Sequence, residues 1–122
     1  MQEDRPSEEE TARFALSELM ERVDDDDELI REVLEIFLED TPKTLEAVKT
    51  GIADRSPEAV AKAAHTLKGA SANIAANRLR DQAYELEIKA KSGDLADAGN
   101  IYATLETEYA ALINHLNQYL GK

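Results

Sequence analysis

The sequence contains no cysteine, only three prolines and five scattered glycines, and far fewer basic than acidic residues. The absence of cysteine excludes disulfides, thiolate catalysis and cysteine-based metal sites. Because the glycines form no phosphate-binding loop, we do not expect ATP chemistry within this chain. The net charge of −12 argues against binding to nucleic acid or to an anionic membrane, since either would need Lys and Arg against phosphates.

No apolar run approaches the roughly 20 residues that are needed to span a bilayer. The first ten residues, MQEDRPSEEE, are acidic and lack the basic-then-apolar pattern of a secretory signal. We therefore expect a cytoplasmic protein, and we expect it to be a monomer. A length of 122 residues suits one domain with one core. We expect residues 1–10 to be a flexible acidic lead-in and residues 11–122 to form that domain.

Good helix formers dominate the chain, and no strand-like alternation is sustained. Apolar spacing predicts an all-α, antiparallel four-helix bundle with an additional short N-terminal helix. Pro42 permits a kink or a break near Thr41 in the first long helix. The predicted boundaries are Thr11–Val23 for the short helix, Asp24–Asp27 as the start of the next, Ser56 and Asn77 as caps of the third and fourth, and Leu95–Leu120 for the last.

The third predicted helix carries a histidine on its outer side. At about 100° per residue, a core face formed by Val60, Ala64, Leu67, Ser71 and Ile74 falls within about 40° of one direction. His65 then lies at about 140° and Gly69 at about 180° from Val60. Small residues, Ala61 and Ala72, lie near His65, and Lys62 and Lys68 lie on its two sides. We therefore expect His65 to point into solvent from a cleared patch.

This patch suggests phosphoryl chemistry. Glycine inside a helix costs about 1 kcal/mol relative to alanine, and Gly69, one turn from His65, would let another protein's backbone approach the imidazole. Neutral imidazole is an available nucleophile near neutral pH. A transferring phosphoryl group is strongly negative and needs a cation. Lys68 is the candidate for that cation.

The segment from Ala64 to Glu87, AHTLKGASANIAANRLRDQAYELE, resembles the signature of the histidine phosphotransfer (HPt) family. That signature is His-x-Leu-Lys-Gly-x-Ser, a Gly or Ala pair, and a downstream Leu-Glu. The resemblance extends over about Asp25 to Tyr119. Ala75 is a departure, because glycine is usual there, and we expect it to affect the helix end after Ile74 rather than the chemistry.

The resemblance implies a phosphoryl carrier of two-component phosphorelays rather than an autonomous enzyme. His65 would be phosphorylated, Lys68 would stabilise the phosphoryl group, and Glu87 would hydrogen-bond the inner ring nitrogen of the histidine. Partner-binding positions would be Ala61, Lys62, Gly69 and Ala72. The partners would be receiver domains of response regulators or of a hybrid histidine kinase, and no cofactor is expected, with any Mg²⁺ on the receiver.

Other readings of the same bundle are weaker. A sensor-kinase dimerisation domain usually has an acidic residue directly after its histidine, whereas Thr66 follows His65 here. A di-metal bundle would need Glu-x-x-His pairs, but Lys62 and Leu112 occupy the required positions before the two histidines. A helical adaptor without phosphoryl chemistry stays the alternative. The sequence leaves open whether the domain stands alone or belongs to a hybrid kinase.

Overall fold

The structure is a computed structural model that describes residues 13–121. Over that range the chain forms five helices and no strand, which confirms the predicted all-α bundle. The expected lead-in, residues 1–10, and the expected first helical residue, Thr11, lie outside the described residues. Within them, the predicted short helix is wrong at Phe14 and Ala15, which are not helical. The helices are α1 (Leu16–Arg22), α2 (Asp27–Ala53), α3 (Pro57–Asn73), α4 (Asn77–Lys91) and α5 (Ala98–Leu120).

The four long helices form the bundle, and short connections make each one antiparallel to the next. The most extensive packing joins α3 to α4, followed by α2 to α3, while α5 packs on α4 and α2. At Gly51, α2 and α3 come so close that an added Cβ would lie 3.0 Å from Val60 Cγ2. The core residues with no exposed surface include Ile30, Leu34, Val48, Val60, Leu67, Leu79, Leu86, Leu105, Leu112 and Leu116.

Polar caps begin α2 and α3 as the sequence predicts. The Asp26 carboxylate accepts a hydrogen bond from the Leu29 N–H at 3.2 Å, and Ser56 Oγ accepts one from the Ala59 N–H at 3.2 Å. Each cap satisfies a backbone donor that has no partner within the helix. The start of α3 therefore fixes the register of the helix that carries His65.

Pro42 does not break α2, which runs without interruption from Asp27 to Ala53. The sequence allowed either a kink or a break near Thr41, and the structure shows no break. Proline removes a single backbone donor, so the helix loses the bond to the carbonyl four residues earlier. Pro42 is exposed, whereas Thr41 and Leu45 are buried. Their packing against the core keeps the helix continuous.

The expectation that Asn77 caps α4 is wrong by one residue. Asn77 is the first helical residue, and Ala76 occupies the cap position without a side-chain hydrogen bond. The side-chain oxygen Oδ1 of Asn77 instead accepts a hydrogen bond from the Arg80 guanidinium at 3.0 Å. The preceding turn places Ala76 where its own N–H bonds to the Ser71 carbonyl at 2.9 Å. Backbone geometry, rather than a side-chain cap, therefore begins this helix.

The last helix also begins later than predicted, at Ala98 instead of Leu95. The Asp94 carboxylate accepts a hydrogen bond from the Ala96 N–H at 3.0 Å. A side chain that bonds the backbone two residues on holds a turn rather than a helix. The predicted end at Leu120 is confirmed, and Gly121 follows with a φ of 79°.

The turn between α3 and α4 contains Ala75 with a φ of 59°, in the left-handed region that favours glycine. This is the position where the resemblance leads one to expect glycine. Ala75 is fully buried, and its carbonyl accepts a hydrogen bond from the Ala15 N–H at 3.0 Å. The segment before α1 therefore crosses this turn. Among the described residues, no helix is both long and apolar enough to cross a membrane.

Candidate functional site

His65 lies on the outward side of α3, as its helical angle predicts. Its side chain is 65% exposed, whereas the neighbouring Ala64 and Leu67 are fully buried. The buried residues of α3 face α2 and α4 and leave the imidazole at the surface. The bundle thus holds the helix rigidly while the ring remains open to a reaction partner.

Glu87 on α4 lies directly beside this imidazole. The Nδ1 atom of His65 is 2.8 Å from Glu87 Oε2. Glu87 is only 1% exposed, because the adjacent Leu86 anchors this part of α4 in the core. The structure therefore brings together the two residues that the resemblance paired. Angular reasoning on α3 alone could not have found this contact, since it depends on the register between two helices.

Two lysines also contact the Glu87 carboxylate. Lys68 Nζ lies 2.7 Å from Oε1, and Lys91 Nζ lies 3.0 Å from Oε2. The Lys68 side chain is 27% exposed and the Lys91 side chain is 66% exposed. Glu87 thus holds an imidazole and two ammonium groups, which is why a carboxylate is stable at so buried a position.

These contacts keep Glu87 ionised. Burial by itself raises the pKa of Glu87, but hydrogen bonds from the two lysines and the imidazole outweigh burial and lower it to about 2. A carboxylate can only accept hydrogen bonds. The proton between His65 and Glu87 therefore belongs to Nδ1, which donates to Oε2. In the neutral imidazole this leaves the lone pair on Nε2, the outer nitrogen.

An aromatic ring also contacts the Lys68 ammonium. The Lys68 Nζ atom lies 5.0 Å from the centre of the Tyr84 ring, which is within the range of a cation–π contact. Tyr84 is 50% exposed and lies three residues before Glu87 on α4. The Lys68 ammonium thus contacts both a carboxylate and an aromatic face.

The expected clearance next to His65 is present at Gly69. A Cβ added to Gly69 would meet no atom within 4 Å, and the residue is exposed. Ala61 and Ala72 are partly buried, so they add little height to the same surface. Nothing in the structure requires glycine at position 69 for packing. The missing side chain of Gly69 therefore matters only for a molecule that approaches this surface from solvent.

Lys62 lies away from the Glu87 cluster. It is exposed and lines a groove between α2 and α3, whereas Lys68 faces α4. A second groove continues from the first along α2, and Ile36 on its rim is 61% exposed. Thr44 and Thr66 line both grooves. The two lysines thus flank His65 on opposite sides, as the angles predict.

Sequence reasoning missed two members of the site, Lys91 and Tyr84. Both follow from Glu87 once that residue is known to face His65. Lys91 is at i+4 and Tyr84 at i−3 on the same helix, and side chains at these spacings share one face. These spacings are visible in the sequence, but they indicate members of the site only once Glu87 is placed beside His65.

The fold and the site together define a class of protein. The described residues form a helical bundle that presents an outward imidazole, and a carboxylate and ammonium groups surround that imidazole. The model of the Hpt domain family matches residues 32–115, which is more than half of the chain. The chain therefore belongs to the Hpt domain family, and its function is histidine phosphotransfer in phosphorelays.

A solved structure supports the same assignment. The chain is similar to the crystal structure of histidine-containing phosphotransfer protein B (HptB) from Pseudomonas aeruginosa PAO1, with a TM-score of 0.76 and 27% sequence identity. The similarity covers 84% of this chain and 87% of that chain. A search of curated proteins gives no significant match.

Proposed function

We propose that His65 is the residue that accepts the phosphoryl group and passes it on. The observation that carries this proposal is the 2.8 Å hydrogen bond between Nδ1 of His65 and the ionised Glu87. It leaves Nε2 as the nucleophilic atom, at the exposed edge of the ring. The donor would be the aspartyl phosphate of one receiver domain and the acceptor an unphosphorylated aspartate of a receiver domain, so the chain would be a carrier and not an autonomous enzyme.

The transfer step needs no general base from this chain, because the attacking Nε2 atom carries no proton. The Nε2 lone pair forms the N–P bond while the P–O bond to the receiver's aspartate breaks, and the aspartate leaves as a carboxylate. The Nδ1 proton stays on the ring, which becomes positively charged. Glu87 opposes that charge through the existing hydrogen bond. The reverse reaction returns the phosphoryl group to an aspartate and restores the neutral ring.

We propose that Lys68 binds the transferring phosphoryl group. It lies one turn after His65 on α3, and its long side chain can exchange Glu87 Oε1 for a phosphoryl oxygen. Lys91 would stay on Oε2 and keep the buried carboxylate paired during this exchange. A buried charge left without a partner is costly. The second lysine therefore makes it easier for the first to move.

We propose that the receiver docks over the small-residue surface formed by Ala61, Lys62, Gly69 and Ala72. The open space at Gly69 supports this, because a receiver must bring its aspartate to the distance of a nascent bond. The chain itself would need no cofactor. Any Mg²⁺ would be bound by the receiver, where the aspartyl phosphate forms.

Incubation with a phosphorylated receiver domain tests the proposal. We expect wild type to acquire phosphate that is labile in acid and stable in base, as expected of an N–P bond. His65→Gln should acquire none. His115→Gln is the matched control, because the chain has only two histidines, and it should still be labelled.

Unchanged labelling of His65→Gln would overturn the site assignment. A wild-type chain that binds the receiver but acquires no phosphate would point instead to a helical adaptor. Circular dichroism of each variant separates a loss of chemistry from a loss of fold.

A further inference from the structure

Tyr84 is a large aromatic residue that remains half exposed beside the proposed phosphorylation site. Its ring lies over the Lys68 ammonium, with 5.0 Å between Nζ and the ring centre. The transfer step described above does not use Tyr84. Its neighbour on the same face of α4, Ile88, is 49% exposed, so the two side chains leave similar fractions of their surface open. Tyr84 differs from Ile88 in having an aromatic ring, and that ring contacts the Lys68 ammonium.

The Lys68 ammonium has two contacts that differ in kind. Glu87 Oε1 holds it by charge at 2.7 Å, and the Tyr84 ring holds it by its electron-rich face. The contact with the carboxylate has to be exchanged when the ammonium turns to a phosphoryl oxygen. The aromatic contact can persist through that exchange, because the ring does not compete with the phosphoryl group for hydrogen bonds.

An unrestrained lysine side chain would have to lose much rotamer freedom at the moment of transfer. A ring that already confines the ammonium next to His65 removes part of that cost beforehand. Lys91, whose side chain is 66% exposed, shows how open a lysine on this surface can be, whereas Lys68 is 27% exposed. The Lys68 side chain is thus more confined than that of Lys91, the other lysine that contacts Glu87.

We propose that Tyr84 is a positioning residue for phosphoryl transfer, whose ring holds the Lys68 ammonium beside His65 before and during the reaction. This inference rests on the proposed roles of His65 and Lys68. It assigns Tyr84 an effect on the rate of transfer and none on the affinity for the receiver.

Two phosphoryl donors separate positioning from docking. One is a receiver domain phosphorylated with acetyl phosphate, used at saturating and at low concentration. The other is phosphoramidate, a small N–P donor that needs no docking surface. Tyr84→Leu should slow labelling of His65 about two- to five-fold with both donors, which is the size expected of a partly exposed cation–π contact. The KM for the receiver should not change.

Two companion variants make the comparison specific. Tyr84→Phe keeps the ring and should restore the wild-type rate. Ile88→Ala removes a similarly exposed apolar side chain from the same face of α4 and should leave the rate unchanged. In a Lys68→Met background, Tyr84→Leu should have no further effect, because the residue through which the ring acts is absent.

Nuclear magnetic resonance gives a readout that does not depend on activity. The Lys68 protons next to the nitrogen should show a ring-current shift in wild type and Tyr84→Phe, before and after phosphorylation, and should lose it in Tyr84→Leu. A wild-type rate in Tyr84→Leu would overturn the inference, as would slowing confined to KM or slowing that persists without Lys68. If wild type itself acquired no phosphate from either donor, the proposed function would fail first.

Discussion

Glu87 combines two properties that usually oppose each other, deep burial and a full negative charge. The charge persists because the imidazole and two ammonium groups surround it, with contacts of 2.7 to 3.0 Å. The same contacts fix the tautomer of His65 and join α3 to α4. A single carboxylate thus contributes both to the stability of the bundle and to the chemistry at its surface. Its contribution to stability can be measured by varying the pH.

The first prediction concerns Glu87→Gln. The folded-state pKa of Glu87 is about 2, below the ordinary value of 4.5. The folded state therefore takes up this proton less readily than the unfolded chain, and the charge stabilises the fold above pH 4.5. That contribution is lost as the pH falls through about 2. At pH 7 we expect wild type to be more stable than Glu87→Gln by about 2 kcal/mol.

Urea unfolding at several pH values between 7 and 2 measures this difference. It should hold down to about pH 4.5 and shrink below that value. Glu85→Gln is the control, because Glu85 is exposed and its ion pair with Lys89 is 3.8 Å long. A difference that stayed constant to the lowest pH would contradict the assignment of the stabilising charge to Glu87.

From the residues of the sequence, only those features of the site that depend on a single helix could be predicted. The angle of His65 and the open space at Gly69 follow from α3 alone. The pairing with Glu87 came from the resemblance, and Lys91 and Tyr84 were missed. Each of these contacts depends on how far α4 is shifted along α3, and that shift is set by core packing and by the backbone of the turn at Ala75.

At the scale of the element, α3 has two faces with opposite requirements. Its inner face is fully packed, since Val60, Ala64 and Leu67 have no exposed surface. Its outer face contains Gly69, where a side chain would meet nothing. Packing therefore gives no reason for glycine, and helix stability argues against it. The cost is understandable only if a partner needs the space.

The second prediction separates these two effects at Gly69. Gly69→Ala should raise the free energy of unfolding by about 0.5–1 kcal/mol, because alanine restricts the unfolded chain and its Cβ meets no atom. Gly69→Arg should fold equally well and raise the KM for a phosphorylated receiver about tenfold or more, a loss of about 1.4 kcal/mol in binding. Labelling by phosphoramidate should be unaffected in both.

Ala110→Arg on α5 is the matched control for the arginine variant. Ala110 is exposed, and α5 packs on α4 and α2 rather than on the helix of His65. It should leave the KM unchanged. A normal KM in Gly69→Arg would show that the receiver does not approach this side of α3.

Helix boundaries show which local signals the sequence conveys reliably. The run Asp24–Asp27 was predicted to start a helix and contains its cap, Asp26, and Ser56 was predicted as a cap and is one, since a side chain that bonds to its own helix is a local event. Asn77 was predicted as a cap and is not, and the turn before it is held by backbone hydrogen bonds, among them one from the Ala76 N–H to the Ser71 carbonyl and one from the distant Ala15 N–H to the Ala75 carbonyl. A hydrogen bond between segments so far apart in the sequence leaves no local pattern.

At the scale of the whole molecule, the segment before α1 ties the bundle together at a distance from His65. Arg13 Nε lies 2.8 Å from Glu108 Oε2 on α5, and Glu108 is only 5% exposed. Phe14 is also buried. A second cation, Arg78 on α4, lies 3.7 Å from Glu108 and about 14 Å along the helix axis from Glu87. This cluster should therefore govern stability and leave the chemistry unchanged.

The last prediction tests where the domain begins, expected at residue 11. Removing residues 1–10 should change the free energy of unfolding by no more than about 0.5 kcal/mol. Removing residues 1–15 should lower it by at least about 3 kcal/mol, because the ion pair of Arg13 and the buried ring of Phe14 are lost. Urea unfolding gives both values, and labelling by phosphoramidate at 25 °C should be normal for the shorter deletion. A large loss of stability on removing residues 1–10 would place the start of the domain before residue 11.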